Sequence, residues 1–97
     1  MFSIRWETRA IKEQNLIFEF WNENNKSKAY SRKIFKEIKR IENLLIKNPN
    51  MGILTDFCDV RKLVVMDKFS LFYKVSNKTI NILTIWDNRR NPNDLVL

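Results

Sequence analysis

With 97 residues, 44% of them hydrophobic and 12% aromatic, the chain reads as a single folded domain spanning 1–97 rather than a disordered segment. Its formal charge of +7 favours polyanions or acidic protein surfaces as partners. The absence of histidine excludes imidazole triads and histidine metal sites, one cysteine makes neither a disulfide nor a thiolate cluster, and one glycine makes no phosphate-cradling loop. No cofactor and no metal are therefore expected. Lone Cys58 points to a reducing compartment and reads as a packing residue. No leader and no apolar run of ~18 residues is visible, so neither secretion nor membrane insertion is expected and the location is expected to be cytoplasmic.

In chain order, Phe2, Ile4 and Trp6 alternate with polar neighbours and predict a short strand at the sheet edge or beside its middle. Thr8 is suited to cap a helix from Arg9 to about Asn24, whose stripe Ala10, Gln14, Ile17, Phe18 and Trp21 is widened by Ile11, Leu16 and Phe20. A polar break at 22–26 turns the chain, and Ser27 or Ser31 caps a second helix running to about Lys47, ahead of Pro49. Tyr30, Ile34, Ile38, Ile41 and Leu45 give that helix one buried face, while Lys28, Arg32, Lys36 and Lys39, with Lys33 and Arg40 beside them, make its solvent side basic. Residues 1–48 carry 11 basic and 6 acidic groups, against 7 and 5 in residues 49–97, so most of the charge excess lies on the helices.

After the turn at Pro49 and Gly52, three segments alternate with the two-residue period of strands: VRKLVVM, FSLFYKV and TINILTIWD. Turns at Asp67–Lys68 and Asn77–Lys78 would put Val60, Lys62, Val64, Met66, Phe69, Leu71, Tyr73, Val75, Ile80, Ile82, Thr84 and Trp86 on one face. The other face would carry Arg61, Leu63, Val65, Ser70, Phe72, Lys74, Asn81, Leu83, Ile85 and Asp87. A one-residue slip exchanges the faces, and neither turn has the Asn-Gly pair that pins register. The order gives an α+β fold: strand, helical hairpin, then an antiparallel β-meander with two helices packed on one face. The second face is expected to lie uncovered, with Leu63, Val65, Phe72, Leu83 and Ile85 forming an apolar partner surface. Arg61, at a strand start, and Arg89, after the last strand, are expected to converge around a phosphate, which the guanidinium fork suits.

Taken together, Ala10 after a strand ending in Trp6, IKEQNLIFEFW, LLIKNPNMG, VRKLVVM, FSLFYKV and ILTIWDNRRNP resemble the RelE/ParE toxins of type II toxin-antitoxin systems, over about residues 2–95. The resemblance implies a bacterial toxin neutralised by a cognate antitoxin, which would cover the apolar surface of Leu63, Val65, Phe72, Leu83 and Ile85. RelE-like members cut messenger RNA on the ribosome, whereas ParE-like members poison DNA gyrase. Under the ribonuclease reading Arg61 and Arg89 are the catalytic candidates and Lys62, Lys74 and Arg90 the RNA contacts. Leu63 and Ser70 stand where the ribonucleases commonly have further basic groups, and no tyrosine follows Tyr73 in the tail, so proton transfer would fall to Lys62, Lys74 or Asp87. The alternatives are a ParE-like, non-enzymatic gyrase inhibitor and a non-toxic module that binds nucleic acid or its antitoxin.

Overall fold

The computed structural model describes residues 1–24 and 28–97. Its elements are β1 (Ser3–Trp6), α1 (Thr8–Asn24), α2 (Ala29–Lys47), β2 (Ile53–Leu54), β3 (Arg61–Val65), β4 (Phe69–Ser76), β5 (Thr79–Asp87) and a 3-10 turn at Pro92–Asp94. The sheet order is β1-β5-β4-β3-β2. The meander is antiparallel as expected, but β1 lies parallel to β5 and makes the sheet mixed. No helix among the described residues is long and apolar enough to cross a membrane.

The helices lie on one face of the sheet. Helix α2 buries Ile34, Ile38, Ile41 and Leu45, the stripe that its periodicity predicts. It ends where the Asn48 N–H donates to the Leu44 carbonyl at 2.9 Å, and Pro49 offers no donor to continue. The Ser27 cap lies outside the described residues. Ser31 is inside the helix and ties the hairpin together, its hydroxyl lying 2.7 Å from Asn22 Oδ1 and 3.1 Å from the Phe18 carbonyl oxygen. Helix α1 buries only Ala10 fully, with Ile17, Phe18 and Trp21 half-buried against the core. Ile11, Leu16 and Phe20, expected to widen its buried stripe, are instead exposed.

Two features reset the faces. Met66 and Asp67 adopt φ of 54° and 58°, and the first turn takes in three residues, Met66 to Lys68, instead of the expected two, so Val65 rather than Met66 pairs with Phe69. A slip of one residue turns every β3 side chain over. Val65 is consequently buried under the helices and Val64 exposed. The second turn falls at Asn77–Lys78, with φ of 49° and 63°, and Ser76 opposite Thr79, as the sequence predicts. Farther along β5 the register shifts between Phe72 and Tyr73, with Tyr73 opposite Ile82 and Phe72 opposite Thr84, so Leu83 is the extra residue of a bulge. Beyond it Ile85 enters the main core and Trp86 moves to the outer face.

Candidate functional site on the outer face of the sheet

The main core holds Val65, Phe69, Leu71, Tyr73, Ile80, Ile82 and Ile85 beneath the helices, with Leu63 packed at its margin. On the opposite face Val60, Phe72 and Trp86 form a second, smaller cluster, joined by Phe57, Leu83 and Leu95. The expected apolar surface is thus divided. Val65 and Ile85 are 0% and 2% exposed and touch the protein's own interior, while Phe72 and Leu83 lie on the outer face. Nor is that face bare: Leu95 and Phe57 leave Phe72 only 6% and Trp86 only 4% exposed. The tail is held in turn by Arg9 of α1, whose guanidinium donates to the Val96 carbonyl.

Three of the expected cations lie along this outer face, with Lys74 toward one end and Arg90 at the other. Lys62 sits opposite Phe72 across the β3–β4 ladder, Lys74 follows two residues along β4, and the Arg90 guanidinium carbon lies 4.1 Å from the Trp86 ring. A guanidinium over indole is attracted by the negative face of the ring, so Arg90 is positioned at the sheet surface. Lysines and an arginine around two rings make a cationic surface with an apolar floor.

Arg61 and Arg89 do not join it, and they do not converge. Arg61 faces the helix side, where its Nη1 donates to the carbonyls of Gly52 at 2.8 Å and Asn50 at 3.2 Å. Arg89 grips Asp87, Nη2 to Oδ2 at 2.6 Å and Nε to Oδ1 at 3.0 Å, and lies 5.7 Å and 5.5 Å from the rings of Phe20 and Trp21. Arg61 pairs with Tyr73, while Asp87 pairs with Phe69 and Arg89 lies beyond it. Four residues of ~3.3 Å rise and two strand spacings of ~4.8 Å therefore put the backbones of Arg61 and Asp87 roughly 16 Å apart, with Arg89 past the end of β5. The hydrogen bonds from Arg89, foremost, hold the Asp87 carboxyl below the usual carboxylate range, partial burial opposing, and the same bonds raise Arg89.

The loop held by Arg61 has a second anchor that the sequence does not advertise. Tyr73, fully buried, accepts the Gly52 N–H at 2.8 Å and donates to the Pro49 carbonyl at 2.8 Å. Burial pushes its phenol up from the ordinary value, with the Gly52 N–H and then the Arg61 charge pulling the other way. Cys58, read as a packing residue, is exposed. Among the described residues no group of His, Cys, Asp or Glu is placed to hold a metal ion.

A helical hairpin on one side of a mixed five-stranded sheet, with cations and rings on the other, defines a small basic α+β protein built to present surfaces. Residues 4–92 match the family described as the ParE toxin of the type II toxin-antitoxin system, parDE, and the chain belongs to that family. Among solved structures it is similar to a chain of the chromosomal ParDE system of P. aeruginosa, with 23% identity, a TM-score of 0.76, and coverage of 90% of this chain and 96% of that one. It is also similar to the E. coli RelE toxin, at 13% identity and a TM-score of 0.65 over 95% of this chain and 89% of that one. A chain of the E. coli DinJ-YafQ complex matches at 14% identity and a TM-score of 0.61, over 92% and 96%. These likenesses concern the fold. No curated protein matches the chain significantly.

Proposed function

We propose that this protein is the toxin component of a type II toxin-antitoxin system and acts by docking on DNA gyrase rather than by cutting RNA. The observation that carries the choice is the separation of Arg61 and Arg89, each already engaged by its own surroundings at opposite ends of the sheet. A cleavage site needs its charges around one phosphate, within hydrogen-bonding reach of the same oxygens. An inhibitor needs only complementary surface, for which Lys62, Lys74 and Arg90 around Phe72 and Trp86 are suited.

The cognate antitoxin is the expected neutralising partner, in line with family membership and with the likeness to a chain of the DinJ-YafQ complex. Leu83, part-exposed on the outer face, is the antitoxin contact we retain; Phe72 is covered by the protein's own Leu95 and Phe57, Leu63 stands at the core margin, and Val65 and Ile85 are spent on the protein's own core.

A second reading, ribosome-dependent RNA cleavage, draws on the same three cations sharing one face with aromatic rings. Gyrase supercoiling in vitro and mapped RNA ends after induction in bacteria separate the two. We expect supercoiling to be lost and transcripts to stay intact; normal supercoiling at saturating protein, with cuts inside codons, would overturn the choice.

A further inference from the structure

The first half of α2 carries charge that nothing in the described fold compensates. Lys28, Arg32, Lys33 and Lys36 are all exposed, and none has an ion-pair partner among the described residues. Farther along the same helix the pattern changes: Lys39 pairs with Glu42 at 3.5 Å and Arg40 with Glu37 at 2.5 Å. No acidic residue occurs between Glu23 and Glu37.

Lys28, Arg32 and Lys36 recur every four residues, so they form one stripe about 12 Å long at ~1.5 Å rise per residue, with Lys33 alongside. Like charges at this spacing repel. The helix also begins with no acidic residue in its first turn and no side-chain cap, so its positive end adds to the same field. A local electrostatic conflict without a return inside the molecule marks a surface that meets something outside it.

We propose that this stripe is a sequence-independent contact for the phosphate backbone of duplex DNA. The inference rests on the gyrase reading in one respect: an enzyme that holds DNA brings duplex phosphate to the toxin. The stripe belongs to the helical layer, whereas Lys62, Lys74 and Arg90 lie on the other side of the sheet, so protein and DNA can be engaged by different faces at once. Apart from Ser31, which is buried and bonded within the hairpin, the segment 28–36 offers no Asn, Gln, Ser or acidic side chain, so its polar contacts come from Lys28, Arg32, Lys33, Lys36 and Tyr30, residue types that hydrogen-bond phosphate oxygens. An acidic amphipathic helix is less well served. The large apolar side chain exposed beside the stripe is Phe35, whose ring is already met edge-on by Phe18 at 6.3 Å and by the Lys39 ammonium at 5.3 Å.

The test is fluorescence anisotropy of a labelled DNA duplex with the purified chain across a salt series. The comparison proteins are the triple variant R32A/K33A/K36A and a charge-matched control, R5A/K12A/K47A. Each phosphate contact contributes about −0.9 to the slope of log affinity against log salt, so the triple variant is expected to flatten the slope by about 2.7, and the control far less. Folding of every variant is checked by circular dichroism and urea midpoint. An unchanged slope in the triple variant, or no duplex binding at the lowest salt, overturns the proposal. So does single-stranded RNA binding more tightly than duplex, or polyglutamate displacing the duplex as well as unlabelled DNA of equal charge. A chain that binds duplex through the stripe yet leaves supercoiling untouched supports this surface and removes the gyrase reading instead.

Discussion

The Gly52 backbone and the Tyr73 hydroxyl are in direct contact: the amide donates to the phenol oxygen at 2.8 Å, and a Cβ built on Gly52 would stand 2.7 Å from that oxygen and 2.8 Å from the ring. Glycine is required here for closeness rather than for a left-handed backbone, since no glycine has positive φ. Gly52→Ala forces either the β4 ring or the loop after α2 to move, and the usual cost of such overpacking is about 1–3 kcal/mol. Urea unfolding checks it. Because the phenol oxygen is one of the clashing atoms, the same substitution is expected to cost less in a Tyr73→Phe background; an equal cost in both would show the conflict to lie with the ring carbon, 2.8 Å away, or the Lys62 carbonyl, 3.0 Å away.

Tyr73 also makes stability depend on alkaline pH. Burial raises its phenol above the ordinary value of 10.0. The protonated form is thus favoured by folding, so this contribution is fully present below pH 10 and is lost as pH rises from there through the folded value. Tyr73→Phe is expected to unfold more easily at neutral pH, having lost its bonds to Gly52 and Pro49, and to show a shallower loss of stability above pH 10 than wild type. Parallel pH profiles of the two proteins would refute the assignment.

At the acid end the corresponding group is Asp87, whose carboxyl is held below 3.8 chiefly by its hydrogen bonds from Arg89. A depressed carboxylate stabilises the fold above its unfolded value and ceases to do so as pH falls through the folded one. Asp87→Asn should therefore remove part of the acid sensitivity between about pH 4 and the folded value. The effect is expected to be small and to shrink with salt, because the Arg89 side chain is 57% exposed. Melting curves over that range, at low and high salt, are the measurement.

Arg61 separates a structural role from a chemical one. Its guanidinium ties the carbonyls of Asn50 and Gly52 to β3, so Arg61→Ala is expected to cost about 1–3 kcal/mol in stability, the range for charged hydrogen bonds. At temperatures well below melting, gyrase inhibition by this variant should remain close to wild type. Complete loss of toxicity in a variant that is still folded would return Arg61 to the reacting centre.

Removing Leu95, Val96 and Leu97 tests the cover on the outer face. Val60, Phe72 and Trp86 would lose Leu95 from their surroundings, and the Arg9 contact to Val96 would go with it. Stability should fall by about 1–2 kcal/mol, in proportion to the apolar area returned to water. Trp86 fluorescence should shift to longer wavelength in a Trp6→Phe, Trp21→Phe background, and an unshifted spectrum would mean that Leu95 shields nothing.

Much of the architecture is written in local patterns. The four-four-three-four recurrence of Tyr30, Ile34, Ile38, Ile41 and Leu45 specifies α2, and Asn77–Lys78 specifies its hairpin turn, because both signals lie within a few residues of what they determine. The face assignments failed where geometry depends on backbone twist. Met66 takes a positive φ without being Asn, Gly or Asp, and Leu83 forms a bulge without glycine, so neither site carries the residue that usually betrays it. The candidate site was legible to the same degree. Lys62, expected on the face opposite Lys74, joins Lys74 and Arg90 only through the slip of β3, and the partners of Arg61 are backbone carbonyls 9 and 11 residues upstream, which no side-chain pattern reports. The sole glycine was the available hint, read as punctuation when it marked an intimate approach to a ring.

The extra residue at Leu83 sets the faces of everything that follows it in β5. Were the ladder to run through Leu83 without a bulge, the remainder of the strand would turn over, Trp86 would be driven toward the helices and Ile85 expelled, whereas deleting Leu83 would straighten the strand and leave both in place. Arg89 and Arg90 would trade sides along with an unbulged strand. A single irregularity thus decides which arginine greets the outside world and which one stays home to brace α1.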